Sequence, residues 1–115
     1  MKTFCVYMLA SKPNGTLYIG VTSNLVARLW QHRHHAMPGF TDRYEVTRLV
    51  WYELHGSAET AIQREKQLKK WRRAWKVQLL SEANADWTDL APRVFAEWGG
   101  GTGEVDEDGF PRARE

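Results

Sequence analysis

Phe4–Ala10 reads FCVYMLA and Leu17–Thr22 reads LYIGVT, with Pro13-Asn14-Gly15 between them. Two runs of β-branched, aromatic and apolar residues broken by turn formers predict a β-hairpin. With Asn14-Gly15 as a two-residue turn, position 13 faces 16, and odd positions of the first strand share a face with even positions of the second. That parity sets Tyr7 and Tyr18 on one face together with Gly20. A glycine inside a strand marks a close approach to the backbone there, by a ligand or by another part of the chain.

Outward from the hairpin, Ser23 or Asn24 can cap a helix whose apolar residues Leu25, Val26, Leu29 and Trp30 fall on one side, ending near His34. Pro38 and Gly39 lie in a loop that continues to Arg43. Residues 46–54 (VTRLVWYEL) predict a third strand, placed at the centre of the sheet because apolar residues occur at both parities. Ser57 caps a helix over residues 58–70, and another runs over 72–82 with Asn84 as its stop. The order ββαβαα describes an α+β domain, a three-stranded antiparallel sheet flanked by helices.

A chain of 115 residues supports one domain, since domains usually run to about 100 to 200 residues. That domain is assigned to residues 1–90. Residues 91–115, which include GGGTGEVDEDG, are read as a flexible acidic, glycine-rich tail. No apolar run approaches the ~20 residues of a membrane span and no signal core is evident at the start, so a cytoplasmic monomer is expected. Cys5 has no cysteine partner and reads as a small apolar strand residue. His32, His34, His35 and His55 lack a cysteine pair that would complete a zinc set.

The net charge of +2 averages two unlike parts. Residues 1–90 carry 13 Lys/Arg against 8 Asp/Glu, and residues 91–115 carry 3 against 6. Within the basic part, residues 64–76 hold Arg64, Lys66, Lys69, Lys70, Arg72, Arg73 and Lys76 against Glu65 alone. Such clustering is the footprint of a polyanion partner.

Three positions carry chemistry. Glu65 falls within the apolar arc of its helix, defined by Ala58, Ala61, Ile62 and Leu68. A carboxylate aimed inward must be paired with a cation or hold a metal such as Mg²⁺, and both remain open at this point. Arg28 and His32, four apart, project from one side of the first helix, where a guanidinium fork and an imidazole can hold a phosphodiester and move a proton.

Taken in order, Val6-Tyr7, Tyr18-Ile19-Gly20, Arg28-x-x-x-His32 and the inward Glu65 resemble the GIY-YIG nuclease family over roughly residues 3 to 90. YIGVTSNLVARLWQH and AIQREKQLKKWRRAWK look like its small stand-alone bacterial members. The resemblance implies metal-dependent hydrolysis of a phosphodiester. Glu65 would bind Mg²⁺ or Mn²⁺, Arg28 would contact the scissile phosphate, and Tyr7, Tyr18 and His32 would share proton transfer and water positioning, with Tyr7 favoured as the base. The sequence departs from the family pattern in Cys5-Val6-Tyr7, where Gly-Ile-Tyr is usual, and in Val21, where some members carry lysine; Lys66 or Lys69 could supply that contact.

The expected substrate is DNA, single-stranded or branched, cut with little sequence preference in repair, recombination or other DNA processing. Gly20, Arg64, Lys66, Lys69, Lys70, Arg72 and Arg73 are the candidate nucleic-acid contacts. Trp71 and Trp75 are read first as core residues, with stacking on single-stranded bases as the alternative. A catalytically silent nucleic-acid-binding module of the same fold is the competing function, although a binder has no need of a carboxylate facing its anionic ligand.

Overall fold

A computed structural model of the chain describes residues 3–34 and 45–98. The expected loop through Pro38 and Gly39, His35, and the tail from residue 99 lie outside the described residues. The elements are β1 (Phe4–Ala10), β2 (Leu17–Thr22), α1 (Leu25–Arg33), β3 (Arg48–His55), α2 (Ala58–Lys70), α3 (Arg73–Ala83) and α4 (Ala91–Trp98). The sheet is antiparallel, in the order β2-β1-β3.

The hairpin is closed by a longer turn than the one expected. Ser11 N–H donates to the Thr16 carbonyl (3.1 Å), and Gly15 N–H donates to the Lys12 carbonyl (2.9 Å). Pro13 supplies its fixed φ, and Asn14 takes φ 61°, the left-handed position of a type II turn. The register therefore pairs Tyr7 with Gly20 and Leu9 with Tyr18. A two-residue turn would have set Tyr7 opposite Thr22. Because the two registers differ by two residues, each side chain keeps its face.

β1, not β3, is the central strand. Cys5 to Ala10 are all buried, since both faces of the sheet are covered. Cys5, Tyr7 and Leu9 pack with Leu25, Val26 and Leu29 of α1 and with Ala91 and Val94 of α4. Val6, Met8 and Ala10 pack on the other face, with Ala61 and Leu68 of α2 and Leu80 of α3. A bulge between Met8 and Leu9 pairs them with Trp51 and Leu49 and skips Val50. Val50 and Trp51 consequently join the same core cluster while Leu49 joins the other. That bulge produces the apolar residues at both parities that made β3 look central.

Residues 84–90 cover the outer edge of β3. Leu90 N–H donates to the Leu49 carbonyl (2.8 Å), Leu49 N–H to Asp89 Oδ1 (3.1 Å), and Asn84 Nδ2 to the Val50 carbonyl (3.0 Å). The chain thus crosses from α3 on one face to α4 on the other. Asp89 accepts from Ala91 N–H at the start of α4 (3.0 Å) and is ion-paired with Arg33 at the end of α1. The boundary expected after residue 90 falls inside packed structure: Ala91 and Val94 are buried in the core, and the packed part runs at least to Trp98.

Both expected caps are in place. Asn24 Oδ1 accepts from Ala27 N–H (3.1 Å) and Ser57 Oγ from Thr60 N–H (3.2 Å), each from an extended backbone. Among the described residues no helix is long and apolar enough to cross a membrane.

Candidate active site

Tyr7 rises from the middle of β1 and lies across Gly20 on β2. A Cβ built at Gly20 would stand 2.4 Å from Tyr7 Oη and 2.5 Å from its Cζ. The close approach signalled by this glycine is therefore made by Tyr7. Gly20 is buried, so its place is to make room for the ring, which corrects its assignment as a nucleic-acid contact.

Asn24 starts α1 directly after β2, and the 3.6-residue period then brings Arg28 and His32 to the same side as the tyrosines. Tyr7 Oη and His32 Nε2 are 3.2 Å apart, within hydrogen-bond distance. Tyr18 completes a triangle of rings, with centroids 6.3 Å from Tyr7 and 5.7 Å from His32, while Tyr7 and His32 lie 6.0 Å apart. Four of the expected residues, Tyr7, Tyr18, Arg28 and His32, thus form one group.

The group is graded in exposure. Tyr7 is 0% exposed and His32 3%, whereas Tyr18 is half-buried. Burial raises the pKa of the Tyr7 hydroxyl, the neighbouring Tyr18 raises it further, and the charge and hydrogen bonding of Arg28 oppose them. Burial, then the Arg28 charge, push His32 down to about 4. At neutral pH the phenol is protonated and the imidazole neutral, so Tyr7 can donate to Nε2. Burial also leaves Cys5 unreactive, its thiol pushed up to about 12.

Glu65 lies on the inward side of α2, between Ala61 and Leu68, with its side chain 16% exposed and its Oε2 3.6 Å from Lys69 Nζ. The inward aim predicted from the period is present, although Ile62, expected on the same arc, points to solvent. α2 packs on β1 and β2 from the face opposite the tyrosines. The two sides adjoin at the edge strand β2, where Tyr18, Ile19, Lys69 and Lys76 line a groove of about 230 Å³. Lys69 thereby reaches both Glu65 and the Tyr18 groove, a place suited to the phosphate contact that Val21 cannot make.

The basic segment divides on inspection of its partners. Arg64 is committed to the fold: its Nε is 3.1 Å from Glu53 Oε1, its Nη1 donates to Gln67 Oε1 (2.7 Å), and it lies over the Trp71 ring. Glu53 on β3, which spacing could not reveal as its neighbour, withdraws Arg64 from the expected nucleic-acid contacts. Arg73 Nη2 donates to the carbonyls of Asn14 and Gly15 (3.0 and 2.7 Å), bracing the hairpin turn. Lys66, Lys70 and Arg72 are exposed. Lys76, part of the expected basic cluster, lines the groove beside Tyr18. Trp75 is 50% exposed rather than core, and its spacing from Leu79 concealed this because both fit an apolar stripe.

The chain matches the GIY-YIG catalytic domain over residues 3–78, and it belongs to the GIY-YIG family. This membership gives the chain a nuclease-type function on DNA. The chain is similar to UPF0213 protein SH2523 of Staphylococcus haemolyticus, with 31% identity over 77 residues, 67% of this chain and 93% of the relative. Among solved structures it is similar to that of the UPF0213 protein BH0048 from Bacillus halodurans, at 26% identity and a TM-score of 0.49, covering 76% of this chain and 93% of the other.

Proposed function

We propose that this protein is a divalent-metal-dependent DNA endonuclease, structure- or single-strand-selective, that hydrolyses phosphodiester bonds with little sequence preference. The observation that carries the reading is the buried Tyr7–His32 contact (3.2 Å) beside Arg28, roofed by Tyr18. A binding surface gains nothing from burying a neutral histidine against a tyrosine.

In this reading Arg28 holds the scissile phosphate through its planar fork of donors. The phosphate offsets the Arg28 charge, which is one of the two causes that lower the pKa of His32, so substrate binding makes the imidazole a better proton acceptor. Tyr18, the tyrosine that water reaches, positions the nucleophile, and the Tyr7–His32 pair behind it receives the proton. The water oxygen forms the new P–O bond, the ester P–O bond breaks, and the leaving oxygen is protonated from solvent.

Glu65 suits a sparsely held cation. Among the described residues no group of three His, Cys, Asp or Glu side chains could enclose an ion. One accessible carboxylate with water and substrate phosphate is a set that Mg²⁺ or Mn²⁺ accepts. Such an ion would polarise the phosphoryl oxygen and stabilise the leaving oxygen.

Cleavage of matched labelled single-stranded, duplex and branched DNA and of RNA, by wild type and Glu65→Ala with Mg²⁺, Mn²⁺ or EDTA, tests the reading. Metal-dependent cutting of DNA that disappears in the variant supports it. Binding without cutting on any substrate would replace it with a silent nucleic-acid-binding module.

A further inference from the structure

The α2–α3 junction carries an aromatic surface that the catalytic group does not use. Trp71, at the end of α2, meets Trp75 of α3 edge to face, with ring centroids 5.9 Å apart. Together with Gln78, Leu79 and Glu82 they line an open groove of about 370 Å³. Trp75 is half exposed, an uncommon state for so large an apolar side chain unless the surface has a use.

Charge and position identify the occupant. The Arg72 guanidinium lies 5.2 Å from the centroid of the Trp75 ring, and Lys70, Arg72 and Arg73 surround the start of α3. Lys76, next to Trp75 in the chain, lines the groove at the β2 edge with Lys69 and Tyr18. The two grooves thus flank the same stretch of α3, and cations stand between the catalytic tyrosine and the tryptophans. Glu82, which accepts from Gln78 Nε2 (3.4 Å), gives the far end the opposite sign. A chain of phosphates is favoured on the Lys76 and Arg72 side, and uncharged flat groups on the Trp75 side.

From this we infer that the Trp71–Trp75 groove holds the unpaired bases of single-stranded DNA whose scissile phosphate lies at Arg28, with Lys69 and Lys76 carrying the backbone between. The inference rests on the nuclease reading for its geometry, and it selects single-stranded substrate within that reading. Duplex DNA has its bases stacked and paired, so it can use the lysines but not the tryptophans.

Binding in EDTA separates this inference from catalysis. Anisotropy of a labelled thymidine oligonucleotide, an abasic strand of equal length and a hairpin duplex is measured with wild type, Trp75→Ala and Trp75→Phe. Loss of one stacked base predicts roughly a tenfold weaker single-strand affinity for Trp75→Ala, near-complete retention in Trp75→Phe, and unchanged affinity for the abasic strand and the duplex. Equal weakening on all three ligands, or no weakening on the thymidine strand, overturns the inference. So does a wild-type dimer that becomes monomeric in Trp75→Ala, which would make the groove a contact between copies. Failure of the wild type to cut any DNA with either metal would sink the nuclease reading while leaving the binding comparison decisive for the groove.

Discussion

Acidification below about pH 6.5 should destabilise this protein through His32. The imidazole is 3% exposed, and its pKa falls from 6.5 in the unfolded chain to about 4 in the fold, by burial and then by the Arg28 charge. The unfolded state binds the proton first, so the contribution is complete above about pH 6.5 and is lost progressively as pH falls towards 4. Between pH 7 and pH 5 the linkage costs about 2 kcal/mol, a large fraction of the stability of a small domain. Urea unfolding of wild type and His32→Gln at the two pH values isolates this share, because the variant keeps every other titrating group. The wild type should lose about 2 kcal/mol more than the variant. Equal losses, or a His32 imidazole that titrates near 6.5 by NMR, would refute the reasoning.

Two further expectations follow from the packing. Gly20→Ala places a methyl group 2.4 Å from Tyr7 Oη, so the ring or the strand must shift; the expected cost is about 1–3 kcal/mol in urea unfolding, with His32 ring resonances displaced in NMR spectra, and a variant with unchanged stability and spectra would contradict the ring-over-glycine geometry. Val94→Ala on the buried face of α4 should cost roughly 1–3 kcal/mol, whereas Arg93→Ala, whose only ion pair described is an exposed one with Glu97, should change stability by less than about 0.5 kcal/mol; equal small effects would detach α4 from the core.

Local signals were legible wherever one residue type has one physical meaning. The hairpin strands, both side-chain caps and the span of α2 follow from period and capping chemistry, and parity alone joined Tyr7, Tyr18 and Gly20. Features that depend on distant chain were not legible. β3 looks central because a bulge turns Val50 and Trp51 to the same side, and because residues 84–90 close an edge that would otherwise be bare. α4 was hidden by the acidic, glycine-rich composition that follows it, although Asp89 and Pro92 form a plausible helix start. Arg64 and Lys70 look alike in a basic run, and only the position of Glu53 across the fold distinguishes them.

The turn at residues 12–15 acts as a ruler for the cluster of Tyr7, Tyr18 and His32. A two-residue turn at Asn14-Gly15 on the same chain would keep Tyr7 and Tyr18 on their face and preserve every hydrophobic contact that depends only on facing. It would also move Gly20 opposite Leu9 and leave Tyr7 against the side chain of Thr22, with no vacancy for its ring. The closure of the turn by Ser11 and Thr16, and not facing alone, therefore gives Tyr7 its place over Gly20 and its reach to His32.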